Sequence, residues 1–177
     1  KTAAEVVEAM PPFSSEYYGN ASTISSLGAE STKAMDHARQ TIADSLGAKP
    51  EEIYFTAGGS ESDNWALKAT AEAYASKGKH IITTKIEHHA ILHTCEYLEK
   101  RGFEITYLNV DRDGLISLDE LKAAIRPDTI LISVMFANNE IGTIEPIAEI
   151  GEIAKEHGVL FHTDAVQAYA QVPINVD

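Results

Sequence analysis

A single cysteine, Cys95, leaves this chain without the means for an internal disulfide, so a reducing compartment, the cytoplasm, is the default expectation. Basic side chains are scarce: 14 Lys and Arg stand against 27 Asp and Glu, for a formal net charge of -13. That balance argues against a nucleic-acid surface, which needs clustered positive charge, and equally against an anionic membrane. No apolar run approaches the roughly 18 residues that a spanning helix requires. Two common phosphate signatures are missing as well, since neither G-x-G-x-x-G nor the P-loop pattern occurs. There is no internal repeat and no low-complexity linker.

What remains is 177 residues, enough for one good-sized domain with a core, in which strand-like and helix-like stretches alternate. Met35, Ala38, Ile42 and Leu46 recur at helical spacing over 31–46, and Gly47 follows as a C-terminal cap. "EIYFTA" reads as a strand, then 60–77 as an Ala-rich helix ending at Gly78. "HIITTKI" is a β-branched strand, 90–101 a helix with Ile91, Cys95 and Leu98 on one side, and "FEITYLNV" another strand. After the turn "DRDG", Ser117 and Glu120 form a capping box, with Ile116 placed to staple onto Leu121. "TILISVMFA" has the continuous apolar character of a strand buried on both faces. Ile147, Ile150 and Ala154 mark a further helix closed by Gly158, and "VLFHTDAV" is the last strand. The alternation predicts an α/β fold with a mostly parallel, doubly wound sheet.

In such sheets ligands sit beyond the carboxyl ends of the strands. The residues there are Gly58-Gly59-Ser60, Glu87-His88-His89, Asn138-Asn139-Glu140, and Asp164 with Gln167. Glycines before a helix let the backbone approach an anion, and the helix start offers free N–H groups, so "FTAGGSESDN" suits a phosphate. The alternative is that Ser60 is an N-cap with Asp63 completing a box-like pair. His88 has the placement to lie flat on an aromatic ligand, or to cap its helix. His89 and His93 share a helix face and have zinc-compatible spacing, but no H-E-x-x-H or cysteine pair joins them, and a solvated face accounts for both. Asp164 ends an apolar strand and needs a partner: a protonated ring nitrogen, an arginine or a backbone cap. Gln167 reaches the same region, and Asn139 in "ANNEIG" is a turn residue or a ligand contact. Cys95 is read as core, because it shares an apolar stripe.

The stretches "YYGNAST", "FTAGGSESDN", "KHIITTKIEHHAILHTCEYLEKRGFEITYL", "ANNEIGTIEPI" and "HTDAVQ" resemble the class V, fold-type I pyridoxal-phosphate enzymes. Among these the chain is most similar to the cysteine desulfurases of iron–sulfur cluster assembly, along nearly its whole length. The resemblance implies pyridoxal 5′-phosphate as cofactor. Gly59 and Ser60 match positions that hold its phosphate, where threonine is commoner than serine. His88 matches the histidine stacked on the ring, Asp164 the aspartate at the ring nitrogen, and Gln167 the partner of the phenolic oxygen. Asn139 matches an asparagine beside cofactor and substrate. The implied reaction takes sulfur from L-cysteine, leaving alanine and a persulfide that is passed to a sulfur-acceptor or scaffold protein, within a homodimer. Other class V enzymes, an aminotransferase or a selenocysteine lyase, and a non-catalytic scaffold of the same fold are the alternatives.

The family also implies a Schiff-base lysine and a nucleophilic cysteine, both further along than Asp177, and a small C-terminal domain. The expectation is therefore that 1–177 is a partial cofactor-binding large domain from a longer parent. By itself, 1–177 is expected to bind the cofactor at most without a covalent link.

Overall fold

A computed structural model describes residues 2–176. They divide into two compact units: one takes in the residues up to Phe55 together with those from Ile174, the other spans Thr56–Pro173.

The first unit is helical. Helices α1 (Ala4–Ala9), α2 (Pro12–Ser15) and α3 (Ser26–Leu46) are followed by a 3-10 turn at Pro50–Glu52. Helix α3 starts where the Ser25 hydroxyl accepts the Gly28 N–H at 3.1 Å. It ends at Gly47, whose φ of 71° puts it in the left-handed cap that the sequence predicts. The expected strand "EIYFTA" does not form: after the 3-10 turn the chain joins no sheet, with Tyr54 and Phe55 exposed. Aromatic and β-branched composition favours a strand only beside a partner, and no described strand pairs with this segment.

The second unit carries the sheet. Its elements are α4 (Gly59–Tyr74), β1 (His80–Thr84), α5 (His89–Glu99), β2 (Glu104–Leu108), α6 (Leu118–Ala124), β3 (Thr129–Ser133), α7 (Ile147–Glu156) and β4 (Leu160–His162). The four strands pair parallel throughout in the order β2-β1-β3-β4. Ser117 caps α6 by accepting the Glu120 N–H, but the expected box stays half made, because the Glu120 carboxylate accepts from Asn109 instead. Helices cover both faces. On one side Leu67 and Ala71 of α4 and Ile91, Cys95 and Leu98 of α5 pack on Ile81 and Leu131. On the other, Leu121 of α6 and Ile150, Ile153 and Ala154 of α7 pack on Ile82, Leu108 and Ile132. Each such aliphatic side chain contributes about 2 kcal/mol by leaving water. All five residues of β1 and of β3 are buried, which is why neither stretch alternates, and the polar His80 and Ser133 among them are hydrogen-bonded.

The chain leaves β1 toward β2 on one side, then returns to β3 on the other. The sheet's switch point therefore lies between β1 and β3, and a crevice opens beyond their carboxyl ends. The β3 region continues past its ladder: the N–H groups of Val134 and Phe136 donate to the carbonyls of His162 and Asp164. Those two bonds bring Asp164 alongside the end of β3.

Candidate functional site

At that crevice a cavity of about 280 Å³ is lined by Gly59, Ser60, His88, Asn139, Asp164 and Gln167. All six residues singled out from the sequence meet there, from four separate connections. Asp63, Met135, Ala137 and Val166 complete the wall.

The helix at its edge has a bare start. The N-cap of α4 is Gly58, and no side chain caps the first turn. Ser60 is therefore not the N-cap; it sits inside the helix, and Asp63 does not close a box with it. The N–H groups of Glu61 and Ser62 reach the Gly58 carbonyl. Those of Gly59 and Ser60 are left at the positive end of the dipole, where an anion binds well. Gly59 is also sterically constrained, since a Cβ there would stand 2.9 Å from Val166 Cγ2.

His88 is the N-cap of α5, and its Nδ1 accepts the Ala90 N–H at 3.1 Å. Capping and lining the cavity are one arrangement here, because the cap fixes the ring that forms the wall. With Nδ1 accepting, the ring proton belongs on Nε2. The turn that carries His88 is pinned by two residues that the sequence places at strand ends without a role. Glu87 Oε1 accepts from the Met135 N–H at 2.9 Å and from Thr84 Oγ1 at 2.8 Å. Asn138 Nδ2 donates to the Ile86 carbonyl at 3.0 Å. Of the adjacent asparagines, Asn138 thus organises the loop, its Oδ1 accepting from Glu140 and Ile141, while Asn139 lines the cavity.

Asp164 Oδ1 accepts the Val166 N–H at 2.9 Å, which leaves its other oxygen for a ligand. Burial drives the neighbouring acids upward: Glu87 is pushed up to about 7 and Asp63 to about 6, each raised further by the Asp164 charge. Cys95 lies in the core, fully buried, and burial pushes its thiol up to about 12, so it is inert as a nucleophile. The rings of His89 and His93 lie 5.4 Å apart.

A family model for aminotransferase class-V matches residues 1–177. The chain belongs to the aminotransferase class-V family. Among individual class-V relatives, the cysteine desulfurase IscS of Methanosarcina thermophila is 64% identical over 172 residues, covering 97% of this chain and 43% of the relative. That of Dictyoglomus turgidum is 59% identical over 173 residues, covering 98% of this chain and 44% of the relative. In solved structures, a NifS-like protein matches with a TM-score of 0.96 at 40% identity, over 99% of this chain and 49% of that one. A structure described as SspA in complex with cysteine gives a TM-score of 0.96 at 44% identity, over 99% and 51%. The chain spans less than half the length of the curated relatives it matches.

Class-V proteins work with pyridoxal 5′-phosphate, and the cavity fits that group. Free helix N–H groups and the Ser60 hydroxyl suit a phosphate, and a glycine stands where a Cβ would meet Val166. A carboxylate, a ring and an amide suit a protonated heteroaromatic with a polar edge.

Proposed function

We propose that the protein is the cofactor-binding part of a cysteine desulfurase, which removes sulfur from L-cysteine to give alanine and an enzyme persulfide. The observation that carries the reading is the convergence of Gly59, Ser60, His88, Asn139, Asp164 and Gln167 on one cavity at the switch point of the sheet. The names of the relatives supply the substrate class.

When bound, pyridoxal 5′-phosphate supplies a protonated ring that draws electrons from the bond being broken. The chain's residues divide the remaining tasks. Gly59 and Ser60 anchor the phosphate through N–H and hydroxyl donors, which fixes the reacting end. His88 forms the flat wall. Asp164 would hold a proton on the ring nitrogen by charge, Gln167 would donate to the ring oxygen, and Asn139 lines the same cavity beside them. The sulfur goes to a cysteine other than Cys95, whose thiol is too buried to attack. A symmetric homodimer, a sulfur acceptor of iron–sulfur cluster assembly and a cytoplasmic setting belong to the same proposal, supported by the resemblance and by the single buried cysteine.

The test is to supply the full-length protein that contains this chain with the cofactor, L-cysteine and a thiol reductant, and to measure alanine and sulfide. The expected result is equal amounts of both, with Asp164→Asn lowering turnover by at least about a hundredfold while cofactor phosphate binding persists. Transamination products without sulfide would instead make the protein another class V enzyme. Cofactor binding with no product would make it a scaffold.

A further inference from the structure

Asp63 is an anomaly. It lies on α4 in line with Leu67 and Ala71, on the buried stripe, and only 4% of it is exposed. His162 lies beside it, with Nε2 at 3.7 Å from Oδ1, beyond a good hydrogen bond. His162 Nδ1 in turn bonds Ser133 Oγ at 2.9 Å. With the Ser133 hydroxyl donating, the imidazole proton sits on Nε2 and faces Asp63.

Asp63 also lines the cavity with Asp164, and among the described residues no lysine or arginine lines it. The described residues therefore set two carboxylates in one cleft with no cation of their own between them. Burying like charges together is costly unless a positive group joins them. The groups facing Asp63 are Asp164 and His162 from β4 and its end, and His88 and Glu87 from the turn after β1. Burial and then the Asp164 charge raise Asp63 to about 6, and His88 pulls the other way. His162 is lowered by burial, which favours the neutral ring.

We propose that Asp63, beside His162, is a positioning residue of the cleft: it sets a second carboxylate near Asp164, so that the site takes an aromatic ligand ring in its N-protonated, cationic form. This rests on the pyridoxal-phosphate reading above. A cation arriving beside Asp164 favours the ionised Asp63, so binding expels the Asp63 proton. The affinity gain from Asp63 appears only as the pH rises through its titration.

The experiment uses 4′-deoxypyridoxine 5′-phosphate, which has the ring and phosphate but no aldehyde for a covalent link. Its dissociation constant is measured by calorimetry for the unaltered protein and for Asp63→Asn. The ratio of the two constants cancels the titration of the probe itself. It should be near one at about pH 5, where Asp63 keeps its proton and resembles asparagine, and about tenfold at about pH 7.5. A ratio that does not change with pH marks a structural role and overturns the proposal. If Asp63→Asn does not fold, the carboxyl ¹³C titration of Asp63 in the unaltered protein decides. The probe should lower its midpoint by about one unit, and an unmoved midpoint overturns the proposal. No binding by the unaltered protein at any pH would sink the cofactor reading as well, whereas binding with a flat ratio sinks only the role of Asp63.

Discussion

The two compact units are held together by different means. The sheet unit has two apolar clusters, one on each face, with Ile82, Ile91, Leu121, Ile132 and Ile150 removed from water. The helical unit has little of this. Its α1 and α2 bury no residue, and α3 buries only Gly28 and Ala43. Val6, Val7, Met10, Phe13, Tyr18 and Ile24 are exposed. Local bonds specify it instead: the Ser25 cap, Thr32 Oγ1 donating to the Ala21 carbonyl at 2.8 Å, and Arg39 Nε donating to the Ile53 carbonyl at 3.1 Å. A core resists single changes at its surface but not within it, whereas a unit built on caps and turns loses a little with each bond. The candidate site lies wholly on the core-built unit, as a constellation needing fixed side chains requires.

The sharpest way to break this contrast is a cavity in the sheet unit. Ile132→Ala, at a site with no exposure, should cost about 4 kcal/mol in denaturant unfolding. A cost near that of a surface change would mean the sheet is not the stabilising element.

The next effect is electrostatic. Glu87 is raised from 4.5 to about 7, so the folded chain keeps a proton that the unfolded chain has released. That contribution is complete below the unfolded value and disappears as the pH rises through about 7, a loss on the order of 3 kcal/mol for so buried a group. Glu87→Gln, which still accepts from Met135, should remove most of the fall in unfolding free energy between about pH 4.5 and 8. An unchanged slope would place the titration elsewhere.

The helical unit should respond less. Ser25→Ala should cost about 1 kcal/mol and speed amide exchange in the first turn of α3 alone. Met35→Ala, at a residue 42% exposed, should stay within about 0.5 kcal/mol. A larger loss at Met35 than at Ser25 would reveal a core in that unit.

The sequence shows the same division. Periodicity and caps located every helix from α3 onward and every strand of the sheet, because buried runs and glycine stops write themselves into residue order. "EIYFTA" misled because pairing is a property of neighbours, not of composition. The glycines and polar residues at strand ends pointed to the cavity because the topology rule needs only element order. Asp63, Glu87 and Asn138 stood among the residues named from the sequence, but their roles were not legible there, for physical reasons. Glu87 and Asn138 act through the backbone of loops, which leaves no periodic trace. Asp63 did leave one, since it stands four and eight residues before the buried Leu67 and Ala71. A carboxylate on an apolar helix stripe is a signal to ask what it faces.

The most direct test of the central claim is a crystal structure of the protein grown with pyridoxal 5′-phosphate. The account predicts the phosphate on the N–H groups of Gly59 and Ser60, with the ring against His88 and its nitrogen beside Asp164. A phosphate bound elsewhere, or a ring with its nitrogen turned away from Asp164, would contradict it.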